Sequence, residues 1–229
     1  MTLEALIFDL DGTMADTEEM HRQAFNAAFI QLELWWDWGP PRYSELLNIS
    51  SGVDRLHHYV ETLEAPAQEK ARLHAIVPRI HAVKSETYIE LLRYWQPPLR
   101  PGVKRLIGEA RSEGLKVAVA STSAAANAMA VLDNHFNGEI EFVVCADEVR
   151  QRKPAPDLYR RALSLLRKPA DVCVAFEDSA NGLRAARAAG LSAVVTPSRW
   201  TLDQDFAGAD LLLRDLSELR LEQLQRVDA

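Results

Sequence analysis

A chain of 229 residues, 48% hydrophobic and 26% charged, can bury a sizeable core and has the composition of a folded globular protein. Its net charge of −7 speaks against a nucleic-acid or anionic-membrane surface, while leaving room for a local basic pocket. No apolar segment reaches spanning length, the N-terminal run with Glu4 and Asp9 is no signal peptide, and Cys145 and Cys173 read as buried reduced thiols, so the expected compartment is the cytoplasm.

The first apolar run, Leu3–Phe8, stops at Asp9-Leu10-Asp11-Gly12-Thr13. On a strand, residues i and i+2 share a face, so the spacing sets two carboxylates side by side at a strand's carboxyl tip. That is where open parallel sheets bind their ligands. No credible strand follows from about Asp16 to Gln96. Met20, Ala24, Ala27 and Ala28 mark an amphipathic helix, and further helices are predicted over Tyr43–Asn48, Asp54–Leu63 and Pro66–Tyr94, the last broken or kinked near Pro78. Trp35, Trp36 and Trp38 form a dense aromatic patch, predicted to lie in the core of this helical segment. A Pro-rich connector, Gln96–Gly102, closes it.

Beyond the connector, short apolar runs recur at Lys116–Ala120, Phe142–Cys145, Val172–Phe176, Ala193–Val195 and Leu211–Leu213. Helix-period segments separate them, among them Leu158, Ala162, Leu165 and Leu166, and a stretch opened by an N-cap Ser179 and closed by Gly190. This alternation predicts an α/β fold whose parallel sheet is covered on both faces. The predicted organisation is an α/β core from residues 1–15 and 98–229, with an α-helical cap inserted over 16–97.

Polar residues follow each strand: Asp9 and Asp11, then Ser121-Thr122-Ser123, then Lys153 in the loop after the third, then Glu177-Asp178. The carboxyl edge therefore gathers four acids, a hydroxyl and a lysine. Four clustered carboxylates need countercharge. Oxygen ligands in that number suit Mg²⁺, which also binds phosphate, and Lys153 supplies further positive charge. Singly, each feature has an ordinary reading: Lys153 as a solvated lysine, Ser121 as a helix N-cap.

In order and spacing, Asp9-Leu10-Asp11-Gly12-Thr13, Ser121, Lys153-Pro154-Ala155-Pro156-Asp157 and Glu177-Asp178-Ser179-Ala180-Asn181-Gly182 resemble the four motifs of the haloacid dehalogenase-like (HAD) superfamily. The helical insert is similar to the cap of its β-phosphoglucomutase subgroup. Thr17–Phe25 and Phe206–Asp210 resemble the CbbY type in particular. The resemblance implies a Rossmann-like core and a Mg²⁺-dependent phosphatase acting on a small sugar phosphate of the xylulose-1,5-bisphosphate type. By the same resemblance, Asp9 attacks phosphorus to form an aspartyl-phosphate, and Asp11 moves the proton to the leaving group and from water. Ser121 and Lys153 would hold the transferring phosphoryl group. Asp9, the Asp11 carbonyl and Asp178 would hold Mg²⁺, with Glu177 acting through water.

Substrate-binding candidates are Glu18, His21, Tyr43, Arg55 and Lys84 in the cap, and Thr122 in the core. Each has a structural alternative: Glu18 as a helix-dipole partner, His21 as a structural imidazole, Lys84 as a solvated amine. His57, His58, His74 and His81 show no metal-ligand spacing. Val53 stands where the resembling enzymes often carry Lys or Arg, which leaves Arg55 or Arg42 for a second phosphate, or a substrate with one. A sugar phosphomutase and a non-catalytic phosphosugar-binding protein are the alternative functions. The expected partner is a small phosphorylated molecule, with no nucleic acid or membrane, and the chain is expected to be a monomer or weak oligomer.

Overall fold

The computed structural model describes residues 2–136 and 138–224. The chain divides into two compact units: the segment up to Thr17 together with that from Pro97 onward, and Glu18–Gln96 between them.

The first unit is built on a six-stranded sheet: β1 (Ala5–Phe8), β2 (Lys116–Ala120), β3 (Phe142–Val144), β4 (Cys173–Glu177), β5 (Ser192–Val195) and β6 (Leu211–Leu212). Every pairing is parallel, in the order β3-β2-β1-β4-β5-β6. Strands β1, β4 and β5 are buried along their whole length, as an apolar run covered on both faces requires. One face packs Ala5, Ile7, Ala118, Ala175 and Ala193 under α7 (Asp157–Leu166) and α8 (Ala180–Ala188). Alternation sends Leu6, Phe8 and Phe176 to the opposite face, where the two Phe rings stack at 4.3 Å. Helix α5 (Val103–Ser112) packs on β2, and α6 (Ala125–His135) connects β2 to β3.

Because β1 lies between β2 and β4, the chain leaves it in opposite directions on its two sides, which opens a crevice at the carboxyl edge. The same edge carries the start and end of the insertion. Ala15 bridges Leu99 antiparallel, the Asp16 amide donates to the Pro98 carbonyl, and the Arg100 amide donates to Met14.

The second unit is wholly helical among its described elements: α1 (Glu18–Gln31), α2 (Pro40–Leu46), α3 (Gly52–Thr62) and α4 (Ala67–Tyr94). Helix α4 packs on α1 and α3. Of the break or kink expected near Pro78, the break is absent: α4 runs 28 residues as one helix through it. Proline costs a helix one backbone hydrogen bond. Burial of Leu73, Val77, Ile80, Tyr88 and Leu92, on both sides of it, outweighs that loss. Trp36 and Trp38 are buried among Phe25, Phe29 and Tyr59, whereas Trp35 is 79% exposed and stands outside the core predicted for it. No helix among the described residues is long and apolar enough to cross a membrane.

Candidate active site

Asp9 prolongs β1 by one ladder bond, its amide donating to the Phe176 carbonyl at 2.9 Å. Strand geometry ends there. Gly12, at φ 84°, turns the chain back on itself and its amide reaches the Ala15 carbonyl. A Cβ at Gly12 would also overlap the Asp178 carboxylate, so only glycine fits. The turn separates two acids that strand spacing places side by side. Asp9 is buried and meets Lys153. Asp11 is half-buried and accepts 2.6 Å bonds from the Thr17 hydroxyl on Oδ1 and the Ser123 hydroxyl on Oδ2.

The remaining groups arrive from the neighbouring strand ends. Ser121, buried at the tip of β2, accepts from the Ser123 amide at 3.0 Å. It is not an N-cap, because α6 begins four residues later behind Ala124. Thr122 stands half-buried in the same loop. Lys153, in the loop before α7, donates to Asp9 Oδ1 at 2.5 Å and to Glu177 Oε1 at 2.6 Å. Glu177 closes β4 with no exposed surface, and its Oε1 also accepts a 2.5 Å bond from Tyr159. Its Oε2 is buried without a hydrogen-bond partner. The Thr201 hydroxyl donates to the Asp178 carbonyl at 2.7 Å. Ser179 caps α8 by accepting from the Gly182 amide, as its position in the sequence predicts.

Ligand atoms of Asp9, Glu177 and Asp178 all lie within 4.8 Å of one another. Burial, above all, pushes the Asp9 carboxyl well above the usual carboxylate range; Lys153 pulls it back, and Glu177, Asp178 and Asp11 push it further up. Burial opposes the charge on Lys153, but Asp9 and Glu177 outweigh it and hold the ammonium above its ordinary range. A divalent cation fits that donor set: hard oxygens only, with Glu177 Oε2 buried and without a hydrogen-bond partner.

The helical unit gathers its own candidates into two groups. Tyr43 donates to Glu18 Oε2 at 2.7 Å, and the Arg55 guanidinium lies 5.8 Å from the Tyr43 ring centroid. Lys84 Nζ lies 2.6 Å from His21 Nδ1, and His21 stacks on Tyr88 at 4.0 Å. Both Lys84 and His21 are buried, so neither is a solvated surface group. Arg42 is exposed and lies 3.8 Å from Glu45.

Sequence reasoning passed over Thr17, Tyr159, Thr201 and Arg100. Tyr159 left a signal, since it shares the apolar stripe of α7 with Leu158 and Ala162, and a phenol buried there must find an acceptor. Arg100 left none. Its buried guanidinium donates to the carbonyls of Gly12, Thr196 and Pro197, tying the turn after β1 to the loop after β5.

A buried carboxylate held by a buried lysine, beside acids on the next strand, sits on a parallel sheet with the insertion placed directly after β1. Residues 3–190 match the haloacid dehalogenase-like hydrolase family, and the chain belongs to it. Within that family it is CbbY-like and an enzyme of the phosphatase type. It is 44% identical to CbbY of Rhodobacter capsulatus over 222 residues, 95% of each chain. CbbY of Rhodobacter sphaeroides in complex with phosphate superposes with a TM-score of 0.89 at 38% identity, over 98% of this chain and 100% of that one. An Asp-to-Asn variant of the same CbbY, in complex with xylulose-(1,5)bisphosphate, gives a TM-score of 0.87 at 38% identity, covering 95% and 96% of the two chains.

Proposed function

We propose that this chain is a Mg²⁺-dependent phosphatase for a small phosphorylated sugar, working through an aspartyl-phosphate on Asp9. The observation that carries this reading is the 2.5 Å contact of Lys153 with Asp9 beside the Glu177–Asp178 pair. One Asp9 oxygen is committed to Lys153, which leaves the other for attack on phosphorus. Asp11 protonates the departing sugar oxygen, then takes a proton from the water that cleaves the acyl-phosphate. Ser121 and Lys153 hold the phosphoryl oxygens while charge spreads over them. Asp9, Asp178 and the Asp11 carbonyl would hold Mg²⁺, with Glu177 acting through water; an ion held there would supply countercharge to the phosphoryl oxygens and to the Asp9 carboxylate.

Substrate choice is assigned to Glu18, His21, Tyr43, Arg55 and Lys84, with Thr122 from the core. The bisphosphate complex of the CbbY relative supports a substrate of the xylulose-1,5-bisphosphate type. Arg55, the basic residue two positions after Val53, is the proposed partner of its second phosphate. The buried free cysteines, Cys145 and Cys173, support a reducing, cytoplasmic setting.

The test is a panel of phosphate esters with Mg²⁺, including xylulose-1,5-bisphosphate, phosphoglycolate and hexose phosphates. Release of inorganic phosphate, fastest for a sugar phosphate, is the expected result. Isomerised sugar phosphate in place of free phosphate would convert the reading to a mutase. Absence of turnover across the panel would leave a binding protein.

A further inference from the structure

Tyr159 makes two contacts with the charged centre from beneath it. Its hydroxyl donates to Glu177 Oε1 at 2.5 Å, and the face of its ring lies 5.1 Å from Lys153 Nζ. Lys153 donates to the same Oε1 at 2.6 Å and to Asp9 at 2.5 Å. All four side chains are buried.

The geometry has a specific consequence. Two donors converge on one Glu177 oxygen, which fixes the rotation of the carboxylate and leaves Oε2 without a hydrogen-bond partner. Gly182 packs directly against this carboxylate, where a Cβ would overlap it, so the group is confined from that side as well. Without the phenol, Lys153 alone would hold Oε1, and a carboxylate held by one flexible amine can rotate. Lys153 would then follow either acid. Its distance to Asp9 would cease to be set.

We propose that Tyr159 is a positioning residue of the reaction. By donating to Glu177 Oε1 and covering Lys153, it holds Lys153 on Asp9 and keeps Glu177 oriented toward the acidic cluster. The proposal rests on the phosphatase reading above. Partners of this kind, one contact removed from a charged site, typically change affinity or rate by about ten- to a hundredfold when lost.

Tyr159→Phe is the informative variant, because it keeps the ring, its packing and its contact with Lys153 and deletes only the donor. Two measurements separate positioning from folding: Mg²⁺ affinity by titration calorimetry on the resting protein, and kcat and KM for the best substrate of the panel. The expected result is a Mg²⁺ Kd raised about tenfold and a kcat lowered about tenfold, with KM within a factor of two. Thermal denaturation in the absence of Mg²⁺ reads separately the stability lost with this hydrogen bond. A Phe variant with wild-type Kd and kcat would overturn this proposal alone. A wild-type protein that takes up no Mg²⁺ would overturn the phosphatase reading and this proposal with it. A Phe variant whose melting point without Mg²⁺ falls while Kd and kcat stay at wild-type values would assign Tyr159 to the core only, and also overturns it.

Discussion

The Thr17 hydroxyl lies 2.6 Å from Oδ1 of Asp11, while Ser123 grips Oδ2 of the same carboxylate at 2.6 Å. Both oxygens of the proposed proton shuttle are thus held by hydroxyl donors, one on the last residue of the α/β unit before the insertion and one on the loop after β2. A hydrogen bond to a charged acceptor is worth about 1.5–3 kcal/mol. Thr17→Val and Ser123→Ala should therefore each lower kcat/KM by about ten- to a hundredfold through loss of Asp11 orientation. Steady-state kinetics decides this, and unchanged rates in both variants would contradict it.

Asp9→Asn should abolish turnover, because an amide oxygen is no nucleophile toward phosphorus. Asp178→Ala leaves two carboxylates where three converge, and should raise the Mg²⁺ concentration for half-maximal activity by about tenfold or more. Phosphate release followed across a Mg²⁺ titration tests both. Substantial Mg²⁺-stimulated activity in the Asp9 variant would remove the nucleophile assignment.

Gly182→Ala reverses an ordinary rule. Alanine inside a helix is favoured over glycine by about 1 kcal/mol, and Gly182 lies within α8. Its Cβ, however, would overlap the Glu177 carboxylate, which has no room to retreat in a fully buried site. The variant should lose stability in urea denaturation and lose activity more severely. A more stable, fully active Gly182→Ala protein would show that the carboxylate yields.

Stability should fall as pH rises above about 9. Burial, above all, pushes the Cys145 thiol from 9.0 up to about 12, with Glu148, Asp147 and Asp11 adding to it. Cys173 rises likewise to about 12, through burial first and then Glu4. Below pH 9 folded and unfolded chains both keep these protons, and the thiols contribute no pH dependence. Between 9 and 12 the unfolded chain loses them first and is favoured, by about 1.4 kcal/mol per pH unit for each thiol. Lys153 and Tyr159, also shifted upward, add to the same slope. Urea midpoints at pH 8 and pH 10 measure it, and the Cys145→Ala/Cys173→Ala double variant should show a shallower decline.

The strands were legible because each is an apolar run of a few residues ending in a polar one, and the site's reactive groups are those polar ends. Ser179 as a cap was legible for the same local reason. Other features depend on what packs against them. The helix through Pro78 survives because its buried residues find partners on α1 and α3, and Trp35 is exposed although two neighbouring tryptophans are buried. Ser121 reads equally well as a cap or a site hydroxyl until α6 is seen to start four residues later.

By itself the sequence determined the elements, their alternation, and which side chains of reactive type stand at the carboxyl edge. Those properties follow from period, turn chemistry and residue type, all expressed within a few positions. Tertiary structure alone decided the pairing. Lys153 reaches Asp9 across 144 positions of chain, and Ser123 reaches Asp11 across 112. Burial depth, charge compensation and the difference between Asp9 and Asp11 arise from those long-range contacts. The strength of a charge's interactions depends on how much water has been removed around it, and only the folded packing sets that.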